Sequence, residues 1–145
     1  MTASVAADAA PSLLKGVRNA LLADATLPGL LAGNKVMVRA PSSAPTPYIE
    51  LDVRDADFST ATEDGQDFTV LCHVWHEPSS VTPETATTMA LMGHVRRILH
   101  TATLPLDAPF NNVLTRVLSR QGPYHDPDSA VIHGIVVVRA VVDHT

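Results

Sequence analysis

The chain has 145 residues, of which 46% are hydrophobic and 17% charged, which is the size and composition of one globular domain. Its 15 acidic and 10 basic residues give a formal net charge of -5, which argues against a protein that grips nucleic acid through a basic face. The single cysteine, Cys72, excludes an internal disulfide and any multi-cysteine zinc site.

No segment has the pattern of an export signal or a membrane helix. The first ten residues lack a basic start and a long apolar run, and residues 1–11 are expected to be flexible. The most apolar stretch, Ala130 to Val142, contains His133 and Arg139 and is too short to span a membrane. The sequence therefore predicts a soluble protein that is made inside the cell.

The first half of the chain predicts one helix followed by three strands. A helix opens at Pro11 and Ser12, with Ser12 as its capping residue and an apolar face of Leu13, Leu14, Val17, Ala20 and Leu21. A short turn, introduced by Asp24, follows over residues 27–31. Strands are predicted over Val36 to Arg39, Tyr48 to Arg54 and Gln66 to His76.

The second half predicts one helix and two strands. Thr82, Pro83 and Glu84 indicate a helix start, and the helix extends to about His100. Val113 to Gln121 forms a strand, residues 122–128 a turn, and Ala130 to Val142 a strand that is apolar on both faces and therefore lies inside the sheet. The predicted fold is α+β, in the order α-β-β-β-α-β-β, with two main helices on a mostly antiparallel sheet in a single domain over residues 1–145.

The histidines do not have the spacing of a metal site. His73 and His76 are three residues apart on a strand and project to opposite faces, so they do not reach one ion. His94 and His100 are six apart on a helix, which differs from the four-residue spacing of a zinc helix. We expect neither a metal nor another cofactor.

Catalytic motifs are also missing from the sequence. Cys72 and His76 share a strand face, but Cys72 lies in an apolar run, which is the usual setting of an inert buried cysteine. No nucleophile elbow and no glycine-rich phosphate loop occur. The residues therefore favour a protein that is not an enzyme, and a small enzyme or ligand-binding domain that uses His73, His76 or Cys72 is the weaker alternative.

The acidic residues are concentrated in one part of the chain. Residues 50–67 contain seven of the fifteen acids and one base, Arg54. Three interpretations are open: a solvated hairpin tip, an assembly loop, or a surface that must repel polyanions. The candidate loop residues are Asp55, Asp57, Glu63, Asp64 and Asp67. The lone tryptophan, Trp75, is predicted to pack in the core, with an interface anchor as the alternative.

Several features in series resemble the phage tail terminator family, also called tail completion or head–tail joining proteins, of siphophages and gene transfer agents. These features are the leading helix with its continuation LLADATLPGLLAG, the strand at residues 36–38 and the linker that ends in Pro47-Tyr48-Ile49. They continue with the strand end Val74-Trp75-His76, the helix ATTMALMGHVRRILH and the valine-rich last strand. The resemblance covers roughly residues 13–142.

The resemblance implies a structural virion protein. Family members form a ring, typically of six subunits, that caps the tail tube, stops its growth and joins it to the head connector or stopper protein, and DNA passes through the lumen without specific binding. The implied partners are further copies of the chain, the tail tube protein and the connector, with no membrane, and the implied location is the virion neck. Another neck or tail protein, such as a connector stopper or a tube subunit, is the alternative.

Overall fold

The computed structural model describes residues 8–31, 36–41, 44–58, 65–78, 85–125 and 130–144. The elements are α1 (Ala10–Ala23), α2 (Leu27–Leu30), β1 (Val36–Met37), β2 (Tyr48–Phe58), β3 (Gln66–His76), α3 (Ala86–Leu99), β4 (Phe110–His125) and β5 (Ile132–His144). The strands form one sheet in the order β1-β2-β3-β5-β4, in which only β1 pairs in parallel with its neighbour. The predicted α+β class, element order and internal position of the last strand are confirmed.

The helices of the described residues pack on one face of the sheet and form the core with it. Apolar side chains recur at helical spacing in α1 and α3 and at every second residue of β3 and β5. Gly134 of β5 lies directly under α3, because a Cβ atom there would collide with the thioether of Met92. None of these helices is long and apolar enough to cross a membrane.

The start of α1 differs from the prediction. Residues 1–7 of the expected flexible segment lie outside the described residues, but Ala9 is buried, its N–H donates to Gln66 Oε1, and α1 begins at Ala10. Ser12 does not cap the helix; its hydroxyl instead accepts a hydrogen bond from the backbone N–H of Asp107. The first turn is therefore fixed by tertiary contacts, which local sequence does not encode.

Asp24 connects the α1–α2 turn to α3. Its Oδ2 accepts hydrogen bonds from the N–H groups of Thr26 at 3.0 Å and Leu27 at 2.9 Å, as expected for a residue that starts the short turn. The same carboxylate is paired with both terminal nitrogens of Arg97, the shorter contact being 2.8 Å. The bonds from Arg97 and Leu27 together hold the pKa of Asp24 far below its usual range.

Two strands, β2 and β4, are longer than predicted, whereas β1 is shorter, β3 has the predicted bounds and β5 is shifted by two residues. The backbone of β2 continues past Arg54 to Phe58 through a bulge, and β4 runs from Phe110 to His125, so it includes part of the predicted turn. The helix α3 begins at Ala86, after Thr85, so the prediction that Thr82 caps it is wrong. Residues 79–84 themselves lie outside the described residues.

The outer edge of β4 is partly closed by the turn that follows α3. His100 Nδ1 accepts the backbone N–H of Val117 at 3.1 Å, and the N–H of Thr101 donates to the carbonyl of Thr115 at 2.9 Å. Thr101 reaches this position with a left-handed backbone, at φ 65°. Three register shifts further interrupt β4, so the strand does not present a regular free edge.

Candidate assembly surface

The face of the sheet opposite the helices is called here the open face. On the central strands β3 and β5 it carries half-buried apolar and aromatic side chains, whereas the residues between them in sequence are buried under the helices. Its central members are the buried Leu71 and the half-buried His73, Trp75, His133, Ile135, Val137 and Val141. An apolar surface of this kind on a sheet is a typical protein interface.

Four aromatic side chains lie side by side across one end of the open face. Tyr48 of β2, Trp75 of β3, His133 of β5 and Tyr124 of β4 are register neighbours. The rings of Trp75 and His133 are stacked, with their centroids 3.8 Å apart and their planes 1° apart. We call these four residues the aromatic row. Tyr124 is 56% exposed, so the row ends in solvent at the edge of the sheet.

A histidine pair extends the aromatic row toward the middle of the open face. His73 Nδ1 and His133 Nε2 are 2.9 Å apart and share one hydrogen bond. Burial, together with the nearby His73, lowers the pKa of His133 to about 4, although Glu50 acts in the opposite direction. His133 is therefore neutral at pH 7, and its ring stacks on the indole without a charge.

Trp75 belongs to the open face and not to the core under the helices. The side chain is half-buried, and its Nε1 is shielded from solvent without a hydrogen-bond partner among the described residues. Buried indole N–H groups usually have a partner. The prediction that Trp75 packs as core is thus not what the structure shows, whereas its role as an interface anchor remains a prediction.

The five acidic candidates do not all lie in a loop. The backbones of Asp55 and Asp57 belong to β2, where they pair in register with Thr69 and Asp67, and Glu63 and Asp64 lie outside the described residues. Asp67 is in β3, and both its carboxylate oxygens accept hydrogen bonds from Arg139, the shortest at 2.8 Å. The connection between β2 and β3 is therefore residues 59–65, which is shorter than the sequence indicated.

Charged side chains lie at both sides of the open face. On the β2 side, Glu50 and the exposed Asp52 line one hollow with Arg39, and the exposed Arg54 follows on the same strand, so this side carries both signs. On the β4 side, the exposed Arg116 lies directly opposite Arg139. Arg139 is neutralised by Asp67, whose hydrogen bonds raise the pKa of the guanidinium. Arg116 forms no ion pair with another described residue, so the β4 side is basic.

The groups considered for catalysis or metal binding are kept apart by the fold. Cys72 is fully buried under the helices, and this burial raises the pKa of its thiol to about 12, so the nucleophilic thiolate does not form near neutral pH. His73 and His76 lie on opposite faces of β3, as predicted. Within the described ranges, no three His, Cys, Asp or Glu side chains are close enough to hold a metal ion.

Sequence reasoning missed most of this surface. The sequence alone does not place His133, Tyr48 and Tyr124 beside Trp75, because their proximity depends on the register between four strands. One signal was available: His133 interrupts an otherwise apolar strand, which marks the face of β5 that the helices do not cover. A polar residue at a single position of such a strand often indicates the exposed face.

The sequence matches one known protein family over most of its length. Residues 15–143 match the protein family described as "Tail completion protein gp17". The chain belongs to this family. A tail completion protein is a structural protein of the virion and is located in the tail or neck, as the sequence resemblance predicted. No curated protein sequence matches the chain.

The fold of this tail completion protein is similar to that of a chain in a solved structure titled "Virion of native gene transfer agent (GTA) particle". The TM-score is 0.71 at 20% sequence identity, and the alignment covers 95% of this chain and 99% of that chain. At this identity the similarity concerns the fold. It extends over both chains almost completely, so the open face and the helix layer are both part of the shared architecture.

Proposed function

We propose that this tail completion protein is a tail terminator: its copies form a ring that caps the finished tail tube, stops tube growth and joins the tube to the head connector. The observation that carries the proposal is the family match over residues 15–143, supported by the similarity to a chain of an intact virion. The ring has six subunits, in a phage or a gene transfer agent particle, and the protein does no chemistry.

The surface of the subunit is suited to such a ring. A head-to-tail ring needs two different, complementary surfaces on each copy, because its contacts close only when the rotation between copies closes. The described residues supply the carboxylates of Glu50 and Asp52 at β2 and the unpaired Arg116 at β4, with an apolar strip on β3 and β5 between them. Trp75 and the aromatic row belong to this strip and serve as interface anchors.

The acidic balance of the chain fits the passage of DNA. Cationic side chains that contact phosphates generate non-specific affinity, so a lumen with excess acid lets DNA move without being held. The chain carries a net charge of -5, and four of its acids, Asp55, Asp57, Glu63 and Asp64, lie between residues 55 and 64 without a base. We assign this acidic segment to ring assembly or to the lumen.

Deletion of the gene in cells that produce the particle tests the proposal. We expect separate filled heads and tails of irregular length in electron micrographs, and restoration by the wild-type gene supplied in trans. Normal, joined particles from the deletion would refute the terminator function. Gold-labelled subunit should appear once per particle, between tube and neck; label along the whole tail would instead identify a tube subunit.

A further inference from the structure

A cleft of about 350 Å³ opens between α3 and β4, on the helix side of the sheet. Its floor is apolar and consists of Met92, Val117 and Val136, and its rim carries Arg96, Arg120 and the 57% exposed Leu118. When a partner covers an exposed leucine and an apolar floor, apolar area is removed from water, and this stabilises the complex. The two arginines require that such a partner be acidic.

The arginines of this cleft, like Arg116 of the open face, are not neutralised by a described carboxylate. Lys15, Arg97 and Arg139 are each paired with an aspartate at 3.2 Å or less. Arg96 and Arg120 are exposed, and neither forms an ion pair with another described residue. Two such guanidinium groups beside one apolar floor complement a segment that combines carboxylates with an apolar side chain.

The chain itself contains a segment of this composition. Residues 55–64 carry four acids, no base and one aromatic residue, Phe58. The described backbone of β2 ends at Phe58 and that of β3 begins at Gln66. Residues 55–64 thus comprise the last residues of β2 and the sequence that links it to β3, and we refer to them as the β2–β3 hairpin. We infer that the α3–β4 cleft binds the β2–β3 hairpin of a neighbouring copy, and this inference rests on the proposed ring.

The hairpin does not reach the cleft of its own chain. Gln66 pairs with Val142, whereas the cleft lies at the level of Val136, six residues along β5 and therefore about 20 Å away. The connection of residues 59–65 starts and ends at the hairpin, so it extends by at most half of its contour length, roughly 12 Å. The contact is thus between copies, and it joins two different surfaces, as a head-to-tail ring requires.

A charge exchange tests the contact. The variants are R96E/R120E in the cleft and E63K/D64K in the hairpin, and the control is K15E, which reverses an exposed lysine of α1 that belongs to neither surface. In deletion cells, we expect each of the first two variants alone to reduce the number of joined particles at least about tenfold, because like charges then face each other. The control should yield wild-type numbers.

Co-expression of the two charge variants is the decisive experiment. When R96E/R120E and E63K/D64K subunits are present together, every interface of an alternating ring pairs opposite charges, so joined particles should return. Circular dichroism and thermal unfolding of each variant, expected to match the wild type, exclude a folding defect as the cause of loss. If co-expression of two folded variants does not restore joining, or if either variant joins particles alone, the inference is wrong.

Disulfide cross-linking gives an independent readout. Ser119 lines the cleft and is exposed, and the native Cys72 is buried, so S119C/E63C places the only accessible thiols on the two proposed partners. Mild oxidation of particles with this variant should give a ladder of covalent oligomers, whereas S119C or E63C alone should remain monomeric. Loss of joining by R96E/R120E but not by E63K/D64K would identify an acidic surface of another virion protein as the occupant and overturn the inference.

The two proposals fail in different ways. Normal particles from the deletion would remove the terminator function itself. Unjoined particles from the deletion, combined with wild-type behaviour of both charge variants, would leave that function standing and remove only the contact between cleft and hairpin.

Discussion

The indole of Trp75 lies flat on the imidazole of His133, with the ring centroids 3.8 Å apart, and His73 holds the other side of that imidazole through a 2.9 Å hydrogen bond. This arrangement ties the only tryptophan of the chain to a titrating group. The protonation state of His133 should therefore change the fluorescence of Trp75 and the free energy of unfolding.

Acid should protonate His133 and weaken the fold. Its pKa is lowered to about 4, whereas an unfolded histidine titrates near pH 6.5, so between these values only the unfolded chain binds the proton. The contribution of neutral His133 to the free energy of unfolding is complete above about pH 6.5 and is lost as the pH falls to 4. Because the ring is only half-buried, this contribution is about 1 kcal/mol. Trp75 fluorescence should titrate with a midpoint near pH 4.

The variant His133→Phe keeps an aromatic ring but does not titrate. It should abolish the fluorescence transition near pH 4 and reduce the loss of stability between pH 6.5 and 4. The matched control is His125→Phe, which alters an exposed histidine of β4 and should retain both. A transition that persists in His133→Phe would contradict the assignment.

A side chain at Gly134 requires Met92 to move. Gly134→Ala places a Cβ against the Met92 thioether, which has to take another rotamer within the core, and overpacking of this kind lowers the free energy of unfolding by about 1 kcal/mol. The double variant Met92→Ala/Gly134→Ala should be more stable than the sum of its single effects, in a double-mutant cycle measured by urea unfolding. Gly93→Ala, where no atom lies within 4 Å, should instead stabilise α3.

Loss of the charge on Asp24 should destabilise the contact between α3 and the α1–α2 turn. Asp24→Asn is expected to lower the free energy of unfolding at pH 7 by about 1 kcal/mol, since the hydrogen bonds to Asp24 are then no longer assisted by its charge. Because the pKa of Asp24 is depressed, the stabilisation is complete above about pH 4 and is lost as the pH falls toward the folded-state pKa.

Urea unfolding at pH 7 and pH 3 measures this difference. The control is Asp107→Asn, which removes the exposed ion pair with Lys15 and should change the unfolding free energy little at either pH. Equal effects of the two substitutions would show that Asp24 contributes no more than a surface charge.

His100 should protect the edge of β4. His100→Ala leaves the N–H of Val117 without its acceptor, which costs about 1 kcal/mol and exposes a strand edge. We expect a lower thermal midpoint and faster growth of thioflavin T fluorescence on prolonged incubation. His125→Ala, an exposed change on the same strand, should match the wild type in both measurements; equal aggregation of the two variants would contradict the role of His100.

Features with a local periodicity were predictable from the sequence, and features that depend on register were not. The apolar face of α1 around Leu13 and Val17 and the double-sided apolar run of β5 follow from the spacing of residues along the chain. The stack of Trp75 on His133 joins residues that are 58 positions apart in the sequence, and a shift of one residue would place them on opposite faces.

The acidic segment shows the same limit. Asp67 looked like part of a solvated loop because its neighbours are polar, but its partner Arg139 is 72 residues away in the chain. The end of β2 was predicted too early for a related reason. The alternation of apolar and polar residues fades after Val53, where a bulge shifts the register, but the pairing with β3 continues beyond it.

The closure of β4 by His100 and Thr101 bears on how mistakes during assembly are corrected. A strand edge with free backbone groups would lock two subunits together in whatever register they first met. In the proposed ring, the donor of Val117 and the acceptor of Thr115 are already occupied, so recognition between copies at this edge relies on side chains, whose contacts break and re-form readily. A subunit that binds in the wrong orientation can therefore dissociate again. The same absence of backbone pairing weakens the first contact between two correctly oriented subunits.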